Sequence, residues 1–419
     1  MKKATFAVAV LAASTSAAWA QSSVTLYGIV DAAVRYTSNA NAGSSTKQLV
    51  PGGLSQSRLG INVTEDMGGG LKALVNLEHR FSSDTGAAAT NQTAATPQIP
   101  ADFWRQAWVG LQSSDFGQVR LGRQYNILFD LYTSSFASFR YSPYIEQYKP
   151  ELGMSLASRQ DNMVKYLVQV GNFYAEAQVS AGEGQPNATL PNKSMGLMGR
   201  YNDGTIAAGA GYLQVTEQSG KKIKATTFGA SYTAGPLYLH GGWAQNKYEN
   251  PFTLLTLTPT GFSPSLASTT APTAYQGAAL TRVLYTTGLV GNVLNADAAD
   301  IRTRTMLMFG ATYQLTPQLN VGATAWLTRQ KHWGTVQSLG PFATGFAAAP
   351  ASVASIAAYT TDANTTSKGD FFAFVADYAF SKRTDAYLEL DYTRFKGEVL
   401  FANGASKRGG AMLGLRHRF

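Results

Sequence analysis

The chain has 419 residues, 45% of them hydrophobic, no cysteine, and a formal charge of +9 from 34 basic and 25 acidic residues. The lack of cysteine excludes a disulfide framework, thiolate catalysis and cysteine-held metals, and no run of about 18 apolar residues follows the N-terminal segment, which excludes a helical membrane protein. The basic balance suits anionic solutes or lipid phosphates; dispersed over the chain without a recognition motif, it argues against nucleic acid.

Lys2 and Lys3, the apolar stretch Phe6 to Ala13 and the small-x-small site Ala18-Trp19-Ala20 have the layout of a cleaved secretory signal peptide, residues 1–20. No Pro-rich or charge-run linker divides the remainder, so residues 21–419 are expected to form one domain.

Strand signals then run to the end. In the first segment Val24, Leu26, Val30 and Val34 alternate with Thr25, Tyr27, Asp31 and Arg35, a period of two. The same alternation sets Arg58, Asn62 and Thr64 against Leu59, Ile61 and Val63, and Lys72, Asn76, Glu78 and Arg80 against Ala73, Val75, Leu77 and Phe81. Further strands are expected near 102–112, 116–124, 161–170, 172–182, 193–202, 205–216, 222–233, 236–247, 303–315, 318–330, 369–380, 384–396 and 407–419, which makes sixteen. At about ten residues each, they are long enough to cross a bilayer when tilted.

The connections alternate in length. Tight joints fall at 66–70, 113–115, 171, 202–204, 234–236, 316–318 and 381–383, and longer ones at 37–54, 83–100, 125–160, 183–192, 248–301, 331–367 and 397–406, with 217–221 the one short exception. Short periplasmic turns opposite long extracellular loops predict an all-β, transmembrane, antiparallel up-and-down barrel of 16 strands. Aromatic residues at strand ends, among them Tyr36, Trp104, Trp108, Phe380 and Tyr392, are expected to form interfacial girdles. Mid-strand Asp31, Glu78, Glu176, Asp377, Glu389 and Asp391 are expected to face a water-filled lumen that solvates them. The segment 409–419 can pair with 23–35 and close the sheet, so that no edge faces lipid. Rim cations such as Arg394 and Lys396 suit lipopolysaccharide or headgroup contacts.

Four scattered histidines, His79, His240, His332 and His417, show no metal-ligand spacing, and no nucleophile is paired with any of them, so neither catalysis nor a cofactor is expected.

The start SSVTLYG at 22–28, Ser57-Arg58-Leu59-Gly60, EDMGGGLKA at 65–73, AWVGL at 107–111, FGQVRLGR at 116–123 and terminal Phe419 together resemble the Gram-negative general porins, especially their non-enteric trimeric branch. The resemblance implies a passive diffusion channel for small hydrophilic solutes, a homotrimer, a third loop folded into each barrel, and Phe419 read by the outer-membrane assembly machinery. It places that constriction loop at 125–158 and an arginine wall at Arg58, Arg105 and Arg159, with Arg80 and Arg35 second in rank. Parity agrees, since Arg58 opposes Leu59, Arg105 opposes Trp104 and Trp108, and Arg159 is in register with Lys165. Arg120 points inward on the same count, whereas Arg123 shares the parity of Val119 and Leu121. The loop acids expected to face the wall are Asp130, Glu146 and Glu151, offset by Arg140 and Lys149, and the Pro-Glu-Phe-Gly-Gly run of the enteric branch is absent. Guanidiniums stay charged at any working pH, so a mild preference for anions over cations follows, with neutral solutes also passing. An adhesin or receptor acting through the loops 248–301 and 331–367 is the alternative.

Overall fold

The computed structural model describes residues 22–41, 44–86, 104–139, 154–156, 158–182, 193–216, 222–248, 302–331, 367–396 and 406–419. Residues 1–20, Arg140, Glu146, Lys149, Glu151 and most of the expected loops lie outside these.

The strands in chain order are β1 (Ser23–Asn41), β2 (Ser44–Val50), β3 (Arg58–Gly68), β4 (Leu71–Arg80), β5 (Trp104–Ser113) and β6 (Gly117–Tyr125), then helix α1 (Ile127–Ser135). There follow β7 (Arg159–Val170), β8 (Phe173–Ser180), β9 (Lys193–Asn202), β10 (Ile206–Thr216), β11 (Lys222–Ala234) and β12 (Leu237–Tyr248). The last five are β13 (Arg302–Gln314), β14 (Leu319–Lys331), β15 (Ser367–Ala379), β16 (Thr384–Lys396) and β17 (Lys407–Arg418). All pairings are antiparallel between neighbours, and β1 closes the ring on β17 from Ile29↔Arg418 to Thr37↔Gly410.

Seventeen strands occupy sixteen positions around the barrel. The lower part of β1 pairs with β3 (Ser23↔Thr64 to Ile29↔Arg58) and its upper part with β2 (Ala33↔Val50 to Asn41↔Ser44), so β2 and β3 share one position, interrupted at 51–57. The expected loop at 37–54 is therefore mostly a hairpin extension of β1, because TKQLV has strand propensity of its own.

Every tight joint of the sequence is a turn at one rim. Gly69 (φ 62°) and Gly171 (φ 58°) hold the left-handed conformation that such reversals need. At 202–204, Gly204 N donates to Asn202 Oδ1, while Thr205 N and Ile206 N donate to Asp203 Oδ1 at 2.9 and 2.7 Å.

Polarity is inverted relative to a soluble sandwich. Val24 is 71% exposed and Leu26 59%, whereas Asp31 on the same strand is fully buried. Leu59, Leu197, Phe309, Phe374 and Leu415 likewise face out, and Glu78, Glu389 and Arg416 face in. Only a hydrocarbon surround makes that exterior favourable, and a closed ring leaves no unpaired edge within it.

Two expectations about the interior need correction. The inward acids are not left to water: each is bonded to fixed cations or donors, because the inner face lies close under folded-in segments. Trp108 does not belong to the outer girdle. Arg105 is an extra residue in β5, between the pairs Glu78↔Gln106 and His79↔Trp104, and this bulge turns Trp108 inward beneath Arg120, whose guanidinium carbon lies 4.4 Å from the ring centroid.

Candidate functional site: an arginine cluster beside an inserted helix

Arg58 and Arg80 stand directly opposite each other on β3 and β4, both turned to the interior. Next to them the Glu78 carboxylate gathers the polar groups of four strands. Arg105 Nε donates to Glu78 Oε1 at 2.6 Å, Arg58 Nη1 lies 3.9 Å from Oε2, and Tyr27 Oη donates to Oε2 at 3.1 Å. Tyr27 in turn accepts from Asn76 Nδ2 at 3.0 Å. Arg105 Nη2 donates to Tyr125 Oη at 2.7 Å, and the Arg159 guanidinium lies 5.5 Å from the Tyr125 ring centroid. Arg159 also acts electrostatically on Glu78. Arg58, Arg105 and Arg159 are thus brought together, with Glu78 the acid among them and positive charge in excess among the described residues.

Arg159 arrives by a route that alternation does not describe. Between the pairs Gly122↔Met163 and Gln124↔Gln160, β7 has one residue too many, and Asn162 takes φ 54°. Gln160 consequently joins the inner face, where it accepts from Gln178 and Ser194, and Arg159 turns toward Tyr125. Asp161 points outward to Arg123, which also donates to Trp104 O at 2.9 Å. Arg123 therefore lies outside the barrel and Arg120 inside, as their parity predicts.

The cluster is tied to α1. Asn126 caps the helix by accepting from Phe129 N at 3.0 Å, and the Tyr125 and Phe129 rings stack with centroids 4.7 Å apart. Past the cap the helix runs inside the barrel against β8 to β11, and Ile127, Leu128, Leu131, Tyr132 and Phe136 are buried. It can lie this close because the wall there has almost no side chains. A Cβ on Gly209 would meet Leu131 at 2.6 Å, one on Gly211 would meet Leu128 at 2.8 Å, and ones on Gly229 and Gly242 would meet the Phe136 ring at 2.5 and 2.7 Å. Leu213, Val215, Ala225, Ala244 and Met306 complete an apolar bed. The part of the wall that the helix lies on is therefore an apolar seat, although Thr227, His240, Asn246 and Arg304 of the same sector are buried polar residues. Nothing in the sequence alone joined those glycines to the loop.

Asp130 does not oppose the arginines. It projects from α1 to Lys165 on the wall, and Lys165 Nζ also reaches Glu176 Oε2 at 3.3 Å, so this acid anchors the loop. Glu146 and Glu151 fall outside the described residues.

Opposite α1 a second segment folds inward. Residues 52–57, between β2 and β3, are buried over Asp31, whose carboxylate accepts from Gly53 N (3.1 Å), Ser55 N (2.8 Å) and Tyr387 Oη (2.5 Å). Arg416 braces the segment by donating to Ser55 Oγ at 2.9 Å while holding Asp385 (2.9 Å) and Asp377 (3.3 Å). Arg35 faces inward as its parity predicts, but it is locked between Glu389 (3.0 Å) and Asp391 (2.5 Å). With these carboxylates engaged, inward-facing cations still outnumber inward-facing acids among the described residues, Arg80, Arg120, Arg200, Arg304 and Arg408 being further arginines of the inner wall. No group of three or more metal-ligating side chains occurs among those residues.

A barrel of this kind is known from other proteins. The family model described as Gram-negative porin matches residues 7–332. Outer membrane porin protein 32 of Delftia acidovorans is 36% identical over 265 residues, covering 59% of this chain and 71% of that one. An outer membrane porin protein of Bordetella pertussis is 37% identical over 181 residues, 40% of this chain and 44% of that one. Among solved structures, the anion-selective porin from Comamonas acidovorans matches over 95% of this chain and 100% of its own, with a TM-score of 0.62 at 23% identity, a likeness of fold. The trimer form of OmpT of Vibrio cholerae matches over 95% and 99%, with a TM-score of 0.57 at 13% identity. The inverted polarity, the closed ring, the inserted helix and these likenesses lead to one assignment: the chain belongs to the Gram-negative porin family and forms a water-filled outer-membrane channel for passive diffusion of small hydrophilic solutes.

Proposed function

We propose that this channel prefers anions and that its selective point is the passage bordered by Arg58, Arg105 and Arg159, with Arg80 in the next rank. The observation that carries this reading is the convergence of those three guanidiniums on one carboxylate at the foot of α1. Asp130, the one of the three expected loop acids that lies among the described residues, is held by Lys165 instead. An anion entering meets fixed positive charge without desolvating fully, which favours entry and still permits release. Arg35, neutralised by two acids, braces the wall rather than selecting solutes. The full reading includes a cleaved signal peptide at 1–20, a single domain at 21–419, assembly as a homotrimer, recognition of Phe419 by the assembly machinery, contact with outer-membrane lipid, and no enzymatic activity.

The test is the reversal potential of the purified protein in planar bilayers under a KCl gradient. A charge about 10 Å from the ion path contributes ~0.4 kcal/mol in water-like dielectric, with opposite sign for the two ions. Each of Arg58→Gln and Arg159→Gln should therefore lower the chloride-to-potassium permeability ratio about twofold to fourfold at low salt, less as salt rises. A cation-preferring wild type, or a ratio unmoved by both substitutions, would overturn the proposal. Closure of single insertions in three equal steps is the outcome expected of a trimer.

A further inference from the structure

The bulge at Arg105 turns Trp108 into the lumen, and the indole is not left bare there. Arg120 of β6 lies over it, its guanidinium carbon 4.4 Å from the ring centroid. Farther round the wall Arg200 of β9 repeats the arrangement on Tyr174, which stands directly opposite it on β8, at 4.7 Å. All four side chains are half-buried. They lie toward the rim of tight turns, Trp108 and Arg120 near the β5–β6 joint, Tyr174 and Arg200 near the β7–β8 and β9–β10 joints. Arg58, Arg105 and Arg159 stand instead at the loop ends of β3, β5 and β7.

The nearby carboxylates are committed elsewhere. Asp130 and Glu176 both hold Lys165, and Glu176 Oε1 also accepts from Tyr174 Oη at 2.6 Å. Neither Arg120 nor Arg200 has a carboxylate partner among the described residues. Arg120 Nη2 donates to Gln118 Oε1 at 3.1 Å, and the Nε of each arginine has no hydrogen-bond partner there. Arg120 also acts electrostatically on Tyr174, the ring that carries Arg200, so the two cations belong to one site. An aromatic ring against one face of a guanidinium excludes water from that face and fixes its plane, while the in-plane donor fork stays available to a planar acceptor. Chloride can use only the charge; a carboxylate takes two parallel N–H bonds from one fork. Two such forks match two carboxylates.

We infer that Arg120 and Arg200, each backed by its aromatic ring, form a binding site for small organic dicarboxylates in the lumen on the turn side of the passage at Glu78. One carboxylate sits on each guanidinium fork, and Trp108 and Tyr174 hold the forks in place. The inward turn of Trp108, which alternation does not give, has its use here. The site shares no residue with the passage bordered by Arg58, Arg105 and Arg159, and it stands whether or not the channel prefers anions.

The probe is succinate, titrated at constant chloride into planar bilayers that hold the purified channel, with acetate in parallel. The readout is the concentration that half-blocks the current. Wild type should show saturable block by succinate and none by acetate over the same range. Arg120→Gln/Arg200→Gln should raise the half-blocking concentration about tenfold or more, the loss expected when hydrogen bonds to a charged group are removed. Arg120→Lys/Arg200→Lys keeps both charges and loses the forks, and should raise it about threefold or more. Trp108→Leu, which removes the backing of Arg120 and no charge, should raise it about twofold to fivefold. Folding of each variant is checked by heat-modifiable mobility on gels; if the double glutamine protein does not fold, the lysine and Trp108→Leu variants decide. Absence of saturable block in wild type would overturn the site, as would block by acetate at the same concentration, or an unchanged half-blocking concentration in the folded double glutamine protein. A double lysine variant indistinguishable from wild type would overturn the role of the forks. The reversal potential is scored separately: an anion preference refuted at Arg58 and Arg159 with succinate block retained leaves this site standing, and the opposite pair of results leaves the preference standing without it.

Discussion

Arg35 has a carboxylate on either side, Glu389 and Asp391, in a place where neither has ready access to bulk water. Removing the guanidinium would strand two like charges, which costs about 3–5 kcal/mol where one partner of a buried pair is lost. Arg35→Met should accordingly lower the urea midpoint of the folded barrel, followed by its heat-modifiable mobility on gels. Adding Glu389→Gln and Asp391→Asn should restore most of the loss; no restoration would show that the triad is not the cause. Asp203, in a turn outside the membrane-spanning strands, gives a second residue-scale prediction. Backbone amides of Ile206 and Thr205 donate to its carboxylate and hold its pKa below the ordinary 3.8. The folded state therefore gains from the ionised form, a gain complete above the ordinary value and lost as pH falls through the lower folded one. The stability difference between wild type and Asp203→Ala should be steady near neutrality and shrink in acid below the ordinary carboxylate range; a gap that widens in acid would contradict the assignment.

At the scale of elements, the glycine bed under α1 explains how a nine-residue helix fits inside the ring. Gly229→Ala or Gly242→Ala places a methyl group against the Phe136 ring, an overpacking of about 1–3 kcal/mol that is relieved by displacing the ring and the helix end before it. Larger or noisier single-channel conductance is the expected result, and an unchanged conductance with the ring still buried would argue against the seat. This seat could not be read from the chain in advance. Gly196, Gly209, Gly211, Gly229 and Gly242 belong to four strands, and they acquire a common meaning only when the sheet sets β9 to β12 side by side beneath a loop that precedes them by scores of residues. What could be read was whatever depends on a period of two. Val24, Leu26 and Val30 out with Asp31 and Arg35 in follows from alternation, and the turn at Asn202-Asp203-Gly204 from residue chemistry. Alternation fails where one residue is inserted. Arg105 in β5 and the irregularity at Asn162 in β7 each shift the count, which is why Trp108 faces inward and Arg159 arrives from an unexpected direction. No local pattern marks either bulge.

For the molecule as a whole, an apolar exterior and a charged interior are one statement seen from two sides. The acids expected to be solvated by a lumen are instead balanced in place: Asp31 by the amides of 53–55 and by Tyr387, Glu78 by Arg58 and Arg105, Glu176 by Lys165, Asp377 by Arg416. These pairs join neighbouring or next-but-one strands of the ring, and alternation alone does not give them because they depend on the register between strands. Their consequence is a rigid, internally neutralised wall with a surplus of guanidinium at the passage beside α1. Because the chain has no cysteine, introduced thiols report without background. Single cysteines at Arg58, Arg159, Leu26 and Ile61, each exposed to a water-soluble anionic thiol reagent while current is recorded from an open channel, test this arrangement most directly. Stepwise loss of current is predicted for Arg58→Cys and Arg159→Cys and none for Leu26→Cys or Ile61→Cys; the reverse pattern, or block from the outer positions, would contradict it.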